Sequence, residues 1–282
     1  GLVGSEMCIR DSLNLVAIPL FVFMGNMMAI SGMADDLFKT ITAWLGGVRG
    51  GLIIGTLLIA ALWSAMSGEL VASIYVISTI ALAPMLKYRY DKKLVIGSIT
   101  AGATMDMLIP PSISAIVFCS VTGLSVGKLY TAMWGPSFLL LAVFVIYIAV
   151  RCRFQPNLAP VTLRHDRPSL KGKFLTLRGG IFPILLLIGI MGGIYSGAVS
   201  AMEAATVGAV GAFLISAGRR RINWQNLKET VLATLRVSSM VALFLMAIGC
   251  FTTVYSGIGA LKLATEIAQS APGGGWLVII VM

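Results

Sequence analysis

Asp106-Met107-Leu108-Ile109-Pro110-Pro111-Ser112 interrupts an otherwise apolar run from Leu94 to Gly127. A helix cannot pass undisturbed through two consecutive prolines, because each removes a backbone donor and clashes with the preceding turn. At membrane depth, broken backbone is tolerated only where it is buried in protein or lines a polar cavity. A carboxylate at that depth is also costly and marks ion or proton pathways. Secondary transporters place substrate and coupling-ion sites at such breaks near the midplane. The run is ~34 residues long, too many for one straight span at 1.5 Å per residue. The pattern therefore predicts two half-helices, over about 94–127, that together cross once.

Composition sets the class. Of 282 residues, 58% are hydrophobic and 11% charged, with a mean hydropathy of +0.95. A soluble domain carries about 25% charged residues. Charge-free stretches at Leu13–Ala34, Leu129–Val150, Gly179–Met202 and Val237–Leu261 reach the ~20 residues a membrane crossing needs. The chain is expected to be an all-α polytopic membrane protein, its 31 glycines suited to close helix packing and broken helices.

The net charge of +10 lies in the loops: Lys87, Arg89, Lys92 and Lys93; Arg151 through Arg178; Arg219, Arg220, Arg221 and Lys228. This is the positive-inside pattern. With no aromatic-interleaved basic face or nucleic-acid motif beside it, it excludes nucleic acid as a partner. Cys8, Cys119, Cys152 and Cys250 have no paired spacing, so neither a zinc site nor a disulfide framework is expected. His165, the single histidine, sits in a charged loop as a solvated residue.

Leu13–Met33 is a predicted span, and Ala34–Val48, with Asp35, Asp36, Lys39 and Trp44, a helix at the membrane surface. Gly50–Leu86 is apolar except at Ser67-Gly68-Glu69. Two full spans and a re-entrant hairpin both return it to the same side; the small, polar tip favours the hairpin. Further spans follow at Leu129–Val150, Gly179–Ser200, Ala204–Gly218 and Val237–Tyr255, which leaves every strongly basic loop on the cytoplasmic side. The ends set themselves apart. Gly1–Ser12, GLVGSEMCIRDS, resembles translated adapter sequence, and Trp276–Met282 stops inside an apolar run. The expectation is a partial permease domain over 13–282, incomplete at both ends.

Asp106 has two open readings: an ion or proton site, or a cap on the half-helix beyond the break. Glu69 either attracts a cation or reaches an aqueous cavity. Ser67, Gly68, Ser73, Thr104 and Ser112 offer hydroxyls or exposed backbone near the two breaks. Such oxygens suit a hard cation such as sodium, and half-helix N-termini suit an anionic group. Glu203 opens a span and fits a capping role. Arg236 fits a snorkelling anchor at a cytoplasmic helix end. Met24, Met27, Met28 and Met33 fit packing rather than copper. An enzyme is not expected: Asp106 has no opposing intramembrane aspartate, H-E-x-x-H is absent, and His165 is in the wrong compartment for a serine protease.

Five strings together resemble the large membrane subunit of TRAP (tripartite ATP-independent periplasmic) transporters: AIPLFVFMGNMM (17–28), SAMSGELVAS (64–73), GATMDMLIPPSI (102–113), TGLSVGKLY (122–130) and GGIYSGAVSAMEAATVG (192–208). The resemblance runs from about Leu13 to Met282. It implies an ion-transporter-like elevator fold with a re-entrant hairpin and a broken helix, in a multi-pass protein of the bacterial inner membrane. It further implies a carrier that couples inward sodium flow to import of an organic acid, C4-dicarboxylate-like or another carboxylate solute. Its partners would be a periplasmic solute-binding protein and a small four-helix membrane subunit. Sodium enters as the coupling ion, with no other cofactor. Ser67 and Gly68 correspond to the first hairpin's tip, and Pro110, Pro111 and Ser112 to the broken helix beside it. The resemblance thus implies a sodium site at Ser67, Gly68 and Ser112.

Two residues depart from the family's pattern. A small residue commonly stands where this chain has Glu69, and a glycine or other neutral residue near Asp106. Both added carboxylates join the candidate site, and either can alter stoichiometry or bring in protons. The chain also stops before the family's second hairpin. The alternative reading is a sodium- or proton-coupled carrier of related architecture that needs no binding protein; a purely structural membrane partner is the third.

Overall fold

The computed structural model describes residues 2–155, 158–160, 170–260 and 266, with side chains from residue 15 to 160 and again from 180. The described residues form ten α-helices and no strand: α1 Leu2–Ile30, α2 Met33–Leu45, α3 Gly51–Ser67, α4 Leu70–Lys87, α5 Lys92–Ala103, α6 Ile113–Thr122, α7 Val126–Phe154, α8 Leu170–Tyr195, α9 Ala201–Gly218 and α10 Trp224–Gly257. A 3₁₀ turn, Thr104–Met107, continues α5. By length and composition α4, α7, α9 and α10 can each cross a membrane, and α1 from Leu15 together with α2 makes a fifth crossing if counted as one span, bent by 63°. The protein is all-α and polytopic.

Residues 1–234 pack as one unit and 235–282 as another. In the second, the described backbone is the continuation of α10 to Gly257 and the turn after it. Residues 156–157 and 161–169 of the basic loop, His165 among them, and Trp276–Met282 lie outside the described residues, as do the side chains of residues 1–14 and 161–179, Cys8 included. Cys119, Cys152 and Cys250 are free thiols.

The bend between α1 and α2 falls at Gly32, whose φ of +74° stops the first helix. Beyond it α2 is amphipathic, with Leu37, Phe38 and Ala43 buried and Asp35 and Lys39 exposed. Its Asp36 pairs with Arg219, at the C-terminal end of α9, at 2.5 Å. α2 therefore sits at the same level as the basic end of α9, as a surface helix should.

α1 and α9 form the most extensive helix pair, and they run parallel. Gly208 abuts Met24, and Ser216 Oγ lies 3.1 Å from the Met27 carbonyl and 2.8 Å from the Ala212 carbonyl of its own helix. Ala204, Ala205, Gly208, Ala209 and Ala212 make a buried small-residue stripe along α9, which lets the two backbones approach. Met24, Met27, Met28 and Met33 are all buried, as packing residues. The start of α9 is closed by a capping box in which Ser200 and Glu203 each satisfy the other's backbone N–H.

Three boundaries differ from expectation. α8 begins at Leu170, so Lys171, Lys173 and Arg178 stand on a helix rather than in the basic loop, because a polar first turn carries no apolar signal. The second half-helix of the broken run stops at Thr122, where Gly123 turns left-handed at φ +70°. α10 begins at Trp224, so Lys228 is on a helix rather than in the loop, and Arg236 is inside that helix rather than near its end. Trp224 itself opens the helix, because the apolar periodicity alone does not mark a polar first turn.

Candidate functional site

α3 and α4 form a helical hairpin whose turn is Gly68-Glu69. Gly68 terminates α3 in the left-handed region at φ +62°, and Glu69 is extended ahead of α4. The turn is tied by hydroxyls. Ser73 Oγ donates to the Glu69 carbonyl at 2.7 Å and lies 2.6 Å from Ser67 Oγ. With the Ser73 proton spent on that carbonyl, Ser67 is the donor between the two. Ser73 does here what an isolated serine in a span does, bonding back along its own helix, and it recruits Ser67 as well.

The broken run has matching parts. α5 closes through the 3₁₀ turn, the Leu108 and Ile109 N–H groups both donate to the Met105 carbonyl at 2.9 Å, the chain then passes through a cis Pro110-Pro111 peptide, and α6 starts from an extended Ser112. Three side chains of neighbouring helices fix this segment by hydrogen bonds. Tyr130 of α7, 0% exposed, donates to the Ser112 carbonyl at 3.2 Å. Ser137 Oγ, also of α7, lies 2.6 Å from both the Leu108 and Met133 carbonyls. Ser64 of α3 donates to the Ala103 carbonyl at 2.8 Å. Carbonyls around the helix break thus receive side-chain donors from α3 and α7, the Ser112 carbonyl in addition to the Ile116 N–H.

The hairpin turn and the break meet. A Cβ added at Gly68 would fall 2.6 Å from Cδ1 of Ile113, the first residue of α6. On its other side the turn rests on α1: a Cβ at Gly25 would fall 2.5 Å from Ser67 Cα. Gly102 of α5 brings the paired arms together, since a Cβ there would fall 2.6 Å from both Ala60 Cβ and the Leu57 carbonyl. At Gly25 and Gly102 the neighbours are backbone or Cβ atoms, so the approach itself requires glycine; at Gly68 the neighbour is the end of the Ile113 side chain, and it is the positive φ that calls for glycine.

Of the eight residues singled out in the sequence, seven are gathered at this junction. Ser67, Pro110, Pro111 and Ser112 are buried, and Gly68 and Glu69 are half-buried. Asp106 is 6% exposed, and its Oδ1 has no hydrogen-bond partner. It does not cap α6, whose first turn begins at Ser112 without a side-chain cap. Glu69 is near enough to Asp106 for the two carboxylates to interact electrostatically. Ser112 Oγ is likewise buried and without a partner. Thr104 stands apart: it is exposed, and its hydroxyl bonds back to the Ala101 carbonyl at 2.9 Å. On a 3₁₀ turn of three residues per turn, positions 104 and 106 cannot share a face.

The residues missed by sequence reasoning are Gly25, Ser64, Tyr130 and Ser137. The first three lie inside the strings quoted above, yet nothing in an apolar helix announces which face meets a break.

Chemically, the junction brings together two kinds of helix end. The N-termini of α4 and α6 lack side-chain caps and present partial positive charge, suited to an anionic group. The C-terminal ends of α3 and of the 3₁₀ turn present carbonyls, with Ser67, Ser112 and two carboxylates around them, suited to a hard cation. Among the described residues no group of three or more His, Cys, Asp or Glu side chains forms a metal centre.

Comparison with known proteins gives one family. Residues 7–282 match the family model described as "Tripartite ATP-independent periplasmic transporter, DctM component". The chain is 37% identical over 199 residues to a C4-dicarboxylate TRAP transporter large permease protein of Pseudomonas aeruginosa, covering 70% of this chain and 45% of that one. It is 30% identical over 247 residues to an ectoine/5-hydroxyectoine TRAP transporter large permease protein of Ruegeria pomeroyi, covering 86% and 56%. A sialic acid TRAP transporter large permease protein of Vibrio cholerae is 27% identical over 244 residues, covering 86% and 56%. The chain spans about half the length of these curated relatives.

Proposed function

The chain belongs to the DctM-component family of tripartite ATP-independent periplasmic transporters, and on that premise we propose that it forms the ion- and substrate-handling part of a sodium-coupled permease importing an organic acid. Permeases of this family are transporters of the bacterial inner membrane, not enzymes. The relatives' names carry a C4-dicarboxylate, an ectoine and sialic acid, solutes that share a carboxylate. The uncapped N-termini of α4 and α6 supply the complementary partial charge. A periplasmic binding protein delivers the solute, and a small membrane subunit completes the permease.

The single observation that carries the reading is the contact of the hairpin turn with the broken helix, Gly68 on Ile113. It sets helix ends of both polarities side by side among apolar helices, which is the construction secondary transporters use for a midplane site. In this reading the hairpin is re-entrant, and α3–α6 move as one elevator body. Sodium binds at Ser67, Gly68 and Ser112, and Glu69 and Asp106 add negative charge beside it.

The test is uptake into proteoliposomes holding the complete permease, its small subunit and the cognate binding protein, with a C4-dicarboxylate offered first. Accumulation is expected only with an inward sodium gradient and only with the binding protein present. Equal uptake without sodium would sink the coupling assignment. Uptake without the soluble protein would sink the tripartite one.

A further inference from the structure

The geometry points to a retained anionic phospholipid in a cleft between α5 and α7, with its phosphate between Lys93 and Arg151. This cleft includes none of the residues of the hairpin junction and does not depend on the transport reading. It has a volume of about 620 Å³, within the ~300–1,000 Å³ range of small-molecule sites. Its walls come from α5, between Lys93 and Ala101, and from the last turns of α7, between Val143 and Arg151, and its Lys93–Arg151 end adjoins the basic loops.

The lining changes character along its length. Toward the membrane interior it is formed by Gly97, Ala101, Val143 and Phe144, with no charge among them; toward the basic loops it holds Lys93, Arg151 and Asp91. Neither cation has an ion-pair partner among the described residues. Asp91 offsets at most one of the two charges and forms no ion pair with either cation; its Oδ1 accepts from the Leu94 N–H at 2.9 Å, which caps α5. The Asp91 N–H in turn donates to the Leu158 carbonyl at 3.0 Å, which fixes the basic end of the cleft.

Two such cations at one end of an apolar slot match an anion that carries acyl chains. A free phosphate would satisfy the cations but leave the apolar length unfilled, and a zwitterionic lipid would bring its own cation against them. The positive-inside rule places this end in the cytoplasmic leaflet, where anionic lipids bind basic pockets between helices.

Gly97 provides the decisive substitution. Nothing lies within 4 Å of a Cβ built there, so the side chain of Gly97→Leu starts in open space on the wall of the slot. The experiment is native mass spectrometry of the intact permease, detergent-purified and then equilibrated with vesicles of phosphatidylglycerol and phosphatidylethanolamine. One phosphatidylglycerol retained in preference to phosphatidylethanolamine is expected. Lys93→Gln with Arg151→Gln should lower retention at least tenfold, and Gly97→Leu should abolish it with the charges intact. Undiminished retention in both variants overturns the proposal, as does equal retention of the two lipids. If inorganic phosphate alone displaces the lipid from the wild-type protein at low millimolar concentration, the cleft is a small-anion site and the lipid assignment fails.

Discussion

Gly25 in α1 and Ser67 at the end of α3 lie so close that a Cβ on the glycine would fall 2.5 Å from the serine's Cα and 2.9 Å from the Met66 carbonyl. Both neighbours are backbone, so no side-chain rotation relieves the overlap. Gly25→Ala is expected to push the hairpin turn away from α1 and cost about 1–3 kcal/mol, the range for overpacking a tight contact. The melting temperature of the purified permease should fall. Sodium-dependent uptake should fall further than stability accounts for, because the displaced residue is Ser67. An unchanged melting temperature would show that the turn does not rest on α1.

Gly68 has two separate reasons to be glycine, and they can be separated experimentally. Its φ of +62° costs any other residue about 1–2 kcal/mol, and a side chain also meets Ile113. Gly68→Ala should destabilise by more than either effect alone. Adding Ile113→Ala should recover only the steric part, leaving the backbone cost. A double-mutant cycle on thermal stability measures this, and zero coupling would mean that the turn and α6 do not touch.

The two carboxylates present a different kind of test. Asp106 Oδ1 is buried without a partner, and Glu69 is a second carboxylate close enough to act on it electrostatically. If they add negative charge to the coupling-ion site, Asp106→Asn and Glu69→Gln should each weaken the sodium dependence of uptake, by about tenfold for the buried Asp106, a 1.4 kcal/mol change. Half-buried Glu69 should matter less, since solvent screens it. The measurement is the sodium concentration at half-maximal uptake. Unaltered values in both variants would leave the carboxylates outside the ion site.

The broken helix was visible in the sequence because two consecutive prolines in an apolar run cannot continue a helix, and the hairpin because Ser67-Gly68-Glu69 interrupts a similar run. The polarity of the loops was enough to set α2 and the end of α9 at one level, and the Asp36–Arg219 pair agrees with it. What was not legible was mutual placement. Gly25 and Ser67 are 42 positions apart (67 − 25), and Tyr130 and Ser112 lie on different helices. Contacts between apolar helices leave no periodic signal of their partner. Thr104 illustrates the converse error: it is near Asp106 in sequence, but a tightened turn carries the two side chains to different surroundings.

Tyr130 shows how α7 holds the break open. Its hydroxyl donates to the Ser112 carbonyl, and Ser112 is the residue from which α6 starts. Tyr130→Phe keeps the ring that fills this fully buried position and removes only the donor. The carbonyl of Ser112 then keeps only the Ile116 N–H, at 3.2 Å, and the lost hydrogen bond costs about 0.5–1.5 kcal/mol. Because the same carbonyl belongs to the segment proposed to bind sodium, the loss can be offset by the ion itself. The Tyr130→Phe variant should therefore melt well below wild type in sodium-free buffer, with the gap narrowing as sodium is added, since a ligand of the folded state stabilises by mass action. A melting deficit independent of sodium would make Tyr130 a packing support for α6 and remove the Ser112 carbonyl from the ion site.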